Sequence, residues 1–185
     1  AHAGPTPMAL RRDALLAASR MVDAVNRIAL AEAPHGRGTV GHLQVLPNSR
    51  NVIPGQVTFT VDFRNLAQEG LNRMDADMRA TFARLAQACQ CTVEITQVVQ
   101  YEPCLFDADC VASVRRAAQA LGLPHMDVVS GAGHDAVYVN GVAPAGMIFV
   151  PCKDGISHNE IEDALPEHIA AGANVLLLAM LERAA

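Results

Sequence analysis

The chain has no block of lysine and arginine, no regular cysteine spacing, no apolar run long enough to span a bilayer and no phosphate- or dinucleotide-binding glycine fingerprint. Without a basic block, and with a net charge of −5, it lacks the electrostatic footprint for nucleic acid or for an anionic membrane surface. The most apolar stretch, "IAAGANVLLLAML" (Ile169 to Leu181), suits a buried helix and falls short of the roughly 20 residues that a membrane span needs. Five cysteines (Cys89, Cys91, Cys104, Cys110 and Cys152) make an odd count without a disulfide framework, which favours a reducing, cytoplasmic compartment. Cys89 and Cys91 form a C-x-C, but no second ligand pair stands nearby, so the pair reads as structural rather than as half of a zinc site. No targeting signal is visible at Ala1. A start without methionine or leader reads as a piece of something longer.

What is present points to a folded protein. A length of 185 residues with 51% hydrophobic content argues against disorder and suffices for one sizeable core or two small ones. From Asp13, the apolar residues Leu15, Ala18, Val22, Val25 and Ala29 recur at spacings of three and four, the mark of an amphipathic helix. "APHGRG" ends it, "TVGHLQVL" reads as a strand and "PNSRNVIPG" as a turn segment with two prolines. In "VTFTVDFR", Val57, Phe59, Val61 and Phe63 point one way, while Thr58, Thr60, Asp62 and Arg64 point the other. That alternation predicts an antiparallel strand with one wet face. A second helix is predicted over about Glu69 to Gln87, with Leu71, Met74, Met78, Phe82 and Leu85 as its apolar stripe, and "TVEITQVVQ" as a further strand.

The order helix–strand–strand–helix–strand gives an α+β layer of two helices on an antiparallel sheet, ferredoxin-like with its first strand missing. Beyond Tyr101 to Pro103 the pattern changes. A helix (about Asp107 to Leu121), a strand "MDVV", the loop "SGAGHDA", a short helix, a strand "GMIFV", the loop "CKDGISHNEIED" and a final helix suggest part of a parallel α/β sheet. The expected division is 1–102 and 103–185. The expected ligand loops then follow strands, where open α/β sheets place their sites.

Several residues bear on chemistry. His158 lies in "KDGISHNEIED" among Asp154, Glu160, Glu162 and Asp163. A zinc site needs three or four protein ligands, and a lone loop histidine is more often solvated than metal-bound. "SGAGHDA" follows a strand and precedes a helix, so its backbone N–H groups suit an anion; a tight turn built on glycine freedom is the equal alternative. His134 and Asp135, as neighbours, make a poor catalytic pair. Arg64 ends the wet face of its strand, with Asn51 at the start of the same segment; a guanidinium fork with a side-chain amide suits a carboxylate. The simpler role for Arg64 is a surface ion pair with Asp62 or Asp13. His2, on its residues alone, is a frayed terminus.

Taken together, "AHAGPTPMALRRDAL", "GHLQVLPNSRNVIPGQVTFTVDFRNL", "SGAGHDA" and "GISHNEIED" resemble the N-carbamoyl-L-amino-acid hydrolases and allantoate amidohydrolases of the aminoacylase-like superfamily of two-metal hydrolases. The resemblance runs over nearly the whole chain, with the motifs in family order. It implies a lid and dimerisation domain over residues 1–102 and the closing α/β segment of a metallohydrolase catalytic domain over 103–185.

By the same resemblance, His158 is the last metal-binding histidine, Arg64 and Asn51 hold the substrate carboxylate, and His2 reaches into the partner subunit's active site. Gly131, Ala132 and Gly133 supply backbone contacts to the substrate. The implied cofactors are two divalent ions (zinc, manganese, cobalt or nickel), and the implied partners are a small ureido carboxylate and a second copy of the chain. The implied reaction is hydrolysis of a ureido C–N bond, yielding ammonia and carbon dioxide. The remaining metal ligands and the general base are expected upstream, so the chain alone is expected to be inactive and to hold no tight metal pair. A related metallopeptidase or aminoacylase and a non-catalytic dimerisation module are the alternatives.

Overall fold

In the computed structural model, which describes Ala1–Ala184, Asp13 caps the first long helix, α1 (Ala14–Ala31). Its Oδ1 accepts the N–H groups of Leu15 and Leu16 at 3.0 and 3.1 Å, two donors that the first helical turn leaves without partners. The chain then forms β1 (Arg37–Leu46) and β2 (Gln56–Arg64), an antiparallel pair, followed by α2 (Gln68–Ala88). Burial alternates along β2 as its sequence predicts: Val57, Phe59, Val61 and Phe63 lie half-buried, and Thr58, Thr60, Asp62 and Arg64 are exposed.

In β1 the alternation is reset by a bulge. Thr39 faces Asp62 and His42 faces Thr60, so two residues of β1, Val40 and Gly41, oppose Val61. The extra residue brings Leu43 and Val45 opposite Phe59 and Val57, on the same face of the sheet, where Val45 is half-buried and Leu43 stays exposed. Gly38 pairs with Phe63, and a Cβ there would come within 2.9 Å of both Phe63 and Ala29. Only glycine lets the strand approach the helix this closely.

The core beneath the sheet joins Ala17, Met21 and Val25 of α1 to Met78, Phe82 and Ala86 of α2, with Phe59 tilted at 60° against Phe82 at 5.8 Å. Both helix stripes are turned slightly from the expected ones. Leu15 and Val22 stand at the margin of α1 while Ala17, Met21 and Ala24 are buried; Leu71 and Leu85 stand at the margin of α2 while Gly70 and Ala86 are buried. Small residues sit at the centre because they allow close packing, and the larger leucines cover the flanks.

The chain divides into two units, Ala1–Pro103 and Cys104–Ala185. In the second, α3 (Ala108–Ala120) packs on α5 (Pro166–Ala184) through Ala117, Ala118, Val175 and Ala179. A short helix, α4 (Asp135–Asn140), follows the glycine loop. Ser113 is buried to 1% exposure; its hydroxyl bonds Glu182 Oε1 at 3.0 Å and accepts Arg116 Nη2 at 3.1 Å. Arg116 in turn pairs with Glu182.

Three strands expected from the sequence do not form. "TVEITQVVQ", "MDVV" and "GMIFV" belong to no ladder among the described residues, and the sheet has two strands. A strand exists by its inter-strand hydrogen bonds, and these segments find no partner backbone. Their apolar residues stay largely uncovered: Val98, Val99, Val128 and Val129 are exposed, while Ile95 and Ile148 pack at the edges of the two cores. The helix over Ile169 to Leu181 forms but is not buried as expected. Val175 and Ala179 are buried and Leu178 is half-buried, while Ile169, Leu176, Leu177, Met180 and Leu181 are exposed. No described helix is long and apolar enough to cross a membrane.

Phe82 is 3% exposed at the centre of the first core. Phe82→Ala should cost about 3–5 kcal/mol, read as a lowered urea midpoint by far-ultraviolet circular dichroism. The second core has an acid-sensitive lock. The Glu182 carboxyl is held below its usual range by hydrogen bonds, first from Arg116 and then from Ser113. Its depressed folded value means the stabilisation is present above the ordinary carboxylate pKa of about 4.3 and is lost as pH falls through the folded value. The thermal midpoint should therefore decline below about pH 4.3, and Glu182→Gln should flatten part of that decline.

Candidate functional site

The first unit presents His2, Asn51 and Arg64. The N-terminal segment is tied to the turn before β2: the Ala3 N–H donates to Asn51 O and the Ile53 N–H to Ala1 O, both at 2.8 Å, around a bridge between His2 and Val52. Arg11 adds hydrogen bonds to the carbonyls of Ala3 and Thr6. His2 is therefore a placed residue rather than a frayed one. Its Nδ1 accepts the Gly4 N–H at 3.1 Å, so a neutral ring carries its proton on Nε2. A side chain at Gly4 would come within 3.1 Å of that ring. The Asn51 Oδ1 accepts the Ser49 hydroxyl at 3.0 Å.

Arg64 meets Asp62 in a two-point contact, Nε to Oδ1 at 3.1 Å and Nη2 to Oδ2 at 2.7 Å. The hydrogen bond, and then the charge, of Asp62 raise the Arg64 pKa further above its ordinary value. This is the ion pair foreseen as the simpler role for Arg64. It also fixes the plane of the guanidinium.

The second unit presents the glycine loop and His158. Gly131, Ala132 and Gly133 are exposed, and neither glycine has a left-handed φ. The turn therefore does not depend on glycine's backbone freedom; a Cβ at either position would meet nothing within 4 Å. The Ala132 N–H is engaged by the Ser130 hydroxyl at 3.1 Å, which takes it out of any anion cradle in this conformation. His134 does not pair with Asp135 but lies 2.6 Å from Ser130 Oγ through Nε2, its ring edge-on to Phe149 at 5.6 Å. That contact was missed in the sequence. Its only signal is the serine–histidine spacing of four across a glycine turn.

His158 has φ +57, a left-handed conformation that costs a residue with a Cβ about 1–2 kcal/mol. Asp154 (φ 56) and Gly155 (φ 68) share it. Glu162 sustains the conformation by accepting the His158 N–H at 2.7 Å on Oε2, and the imidazole is left exposed. Glu162 is thereby engaged with backbone. Among the described residues no group of three or more His, Cys, Asp or Glu side chains gathers around a common point for a metal. All five cysteines are free thiols, and Cys91 Sγ donates to Cys89 O at 3.3 Å, a local structural contact.

A model of peptidase family M20/M25/M40 matches residues 4–182. The chain belongs to this family. It is 45% identical over 184 residues to the N-carbamoyl-L-amino-acid amidohydrolase of Rhizobium meliloti, covering 100% of this chain and 44% of that protein. It is 34% identical over 176 residues to the allantoate amidohydrolase of Bacillus subtilis, covering 95% and 42%. A solved amidase of the hydantoinase/carbamoylase family from Burkholderia multivorans superposes with a TM-score of 0.93 at 61% identity, over 99% of this chain and 44% of that one. The motif likeness to carbamoyl-amino-acid and allantoate hydrolases is borne out. The chain spans less than half the length of these relatives. Enzymes of the M20 family generally depend on divalent metals.

If His158 carries backbone strain, a residue without a Cβ relieves it. His158→Gly should be more stable than His158→Ala by about 1 kcal/mol, measured by chemical denaturation of both variants. Equal stability would remove the strain from the argument.

Proposed function

We propose that the chain is part of a metal-dependent amidohydrolase that cleaves the ureido C–N bond of N-carbamoyl-L-amino acids or allantoate, releasing ammonia and carbon dioxide. The observation that carries this reading is His158. A strained backbone is maintained by a carboxylate while its imidazole is turned to solvent, which supports a side chain kept for function, although Asn48, Gln90 and Asp154 share the left-handed φ without such a role. The names of the relatives supply the chemical class of the substrate.

On this reading His158 contributes one imidazole to a metal site whose other ligands lie outside this chain, and the chain alone is inactive. The bound metals would supply a water nucleophile at neutral pH. The work of the chain's own residues is recognition. Arg64 and Asn51 hold the substrate carboxylate, which places the scissile bond rather than merely binding the molecule. Gly131, Ala132 and Gly133 approach it with backbone, where the two glycines leave room and the Ala132 N–H would first have to leave the Ser130 hydroxyl. His2, with its proton on Nε2, has a donor for the developing negative charge on the carbamoyl oxygen.

Residues 1–102 form the lid and dimerisation domain, and 103–185 close the catalytic domain. The chain pairs with a second copy on this reading, which the open edges of a two-stranded sheet would permit across a twofold axis. It would bring His2 to the partner's active site. Five free thiols fit a cytoplasmic enzyme. Among the alternatives, a metallopeptidase or aminoacylase accounts less well for the set "HAGPTPM", "NVIPG" and "GAGHDA", and a dimerisation module alone leaves the strain at His158 without a purpose.

The decisive test is Arg64→Lys in the full-length enzyme. Lysine keeps the charge and loses the fork. The loss of one charge-assisted hydrogen bond should lower kcat/KM about ten- to hundredfold for substrates with a free carboxylate. An amide analogue should be affected little, and metal content should be unchanged. Equal losses on both substrates would remove Arg64 from the site.

A further inference from the structure

We propose that Ser130 is the positioning residue of the glycine loop: its hydroxyl ties the loop at two points, the Ala132 N–H and the His134 ring, and so holds the Gly133 N–H between them as the donor that the substrate meets. The inference rests on the reading of residues 131–133 as a substrate contact and narrows it to one donor.

The loop runs from Ser130 to His134, and α4 begins at the next residue. Ser130 Oγ accepts the Ala132 N–H at 3.1 Å and lies 2.6 Å from His134 Nε2. A hydroxyl can accept one hydrogen bond while donating its own proton, so it serves both partners at once, and bonds linked in this way polarise one another. The His134 ring stands edge-on to Phe149 at 5.6 Å. Phe149 belongs to a separate segment of the same unit, so the tie is anchored outside the loop.

Gly133 lies between the two tied residues. It is exposed, and its N–H finds no partner among the described residues. The neighbouring Ala132 N–H is already spent on Ser130. A glycine segment left untied samples many backbone states, and a substrate binding to it must supply the ordering itself. Two contacts through one hydroxyl supply part of that ordering beforehand.

A competing role for Ser130 is to start α4. The geometry speaks against it, because α4 takes no side-chain cap. Ser130 Oγ reaches a loop N–H and the His134 ring rather than an N–H of the helix.

The experiment combines steady-state kinetics on an N-carbamoyl-L-amino acid with amide hydrogen exchange of the loop, in the full-length enzyme, for Ser130→Ala, Ser130→Thr and Gly133→Ala. Ser130→Ala should raise KM about three- to tenfold with kcat nearly unchanged, the pattern of lost uniform binding. Exchange at the Ala132 amide should quicken, and Ser130→Thr should restore part of both losses. A Cβ at Gly133 meets nothing within 4 Å and the residue has no left-handed φ, so Gly133→Ala keeps the fold and crowds only what approaches from outside. It too should raise KM. A raised KM in Gly133→Ala with normal kinetics in Ser130→Ala would overturn the role of Ser130 and leave the loop as a substrate contact. A lowered KM in Ser130→Ala would overturn it as well, since the hydroxyl would then be competing with substrate for the Ala132 N–H. Unaltered exchange at the loop amides would show that the hydroxyl is not what holds the loop. If neither Ser130→Ala nor Gly133→Ala changes KM, the reading of the loop as a substrate contact fails first and takes the role of Ser130 with it.

Discussion

The first unit depends on the register between β1 and β2. Val57, Phe59, Val61 and Phe63 must face α1 and α2, and in a strand that choice also decides where every alternate residue goes. A slip by one residue would turn Asp62 and Arg64 into the core, where two charges without water are costly. The bulge at Val40 and Gly41 belongs to the same constraint, because it returns Leu43 and Val45 to the face of Phe59 and Val57 after Thr39 has taken the other. Burial of four apolar side chains thus sets the position of the arginine that the functional reading needs.

The second unit is organised differently. Alanines at the contact of α3 and α5 allow the helices to approach, and the lock of Ser113, Arg116 and Glu182 satisfies the buried hydroxyl beside them. The loops carrying the glycine motif and His158 lie outside this helix pair. They are held by local hydrogen bonds, Ser130 to the Ala132 N–H and to His134 in one case and Glu162 to the His158 N–H in the other.

Each candidate residue is therefore exposed for an identifiable reason: Arg64 by strand alternation, His2 and Asn51 by a backbone bridge, His158 by a left-handed turn. None is a core residue whose placement is explained by packing. The apolar surface left uncovered on α5, at Val98 and Val99, and at Val128 and Val129 accords with a segment that matches less than half the length of its relatives.

The helices were legible in the sequence because their signals are local: Asp13 and Asp107 cap from within a turn of the residues they serve, and the apolar spacings of α1 and α2 lie within single segments. The two-faced character of β2, and hence the exposure of Arg64, was legible for the same reason. The family and its candidate residues were legible as motifs. Whether "TVEITQVVQ", "MDVV" and "GMIFV" become strands was not, since a ladder needs a partner backbone that no residue within the segment can supply. Nor were the bulge in β1, the choice of Asp62 over Asp13 for Arg64, the contact of His134 with Ser130, or the left-handed turn at His158. Sequence determined which residues have an apolar or polar side and where helices begin. Tertiary structure decided which of several nearby partners each polar group takes, because register and turn geometry choose among neighbours along the chain.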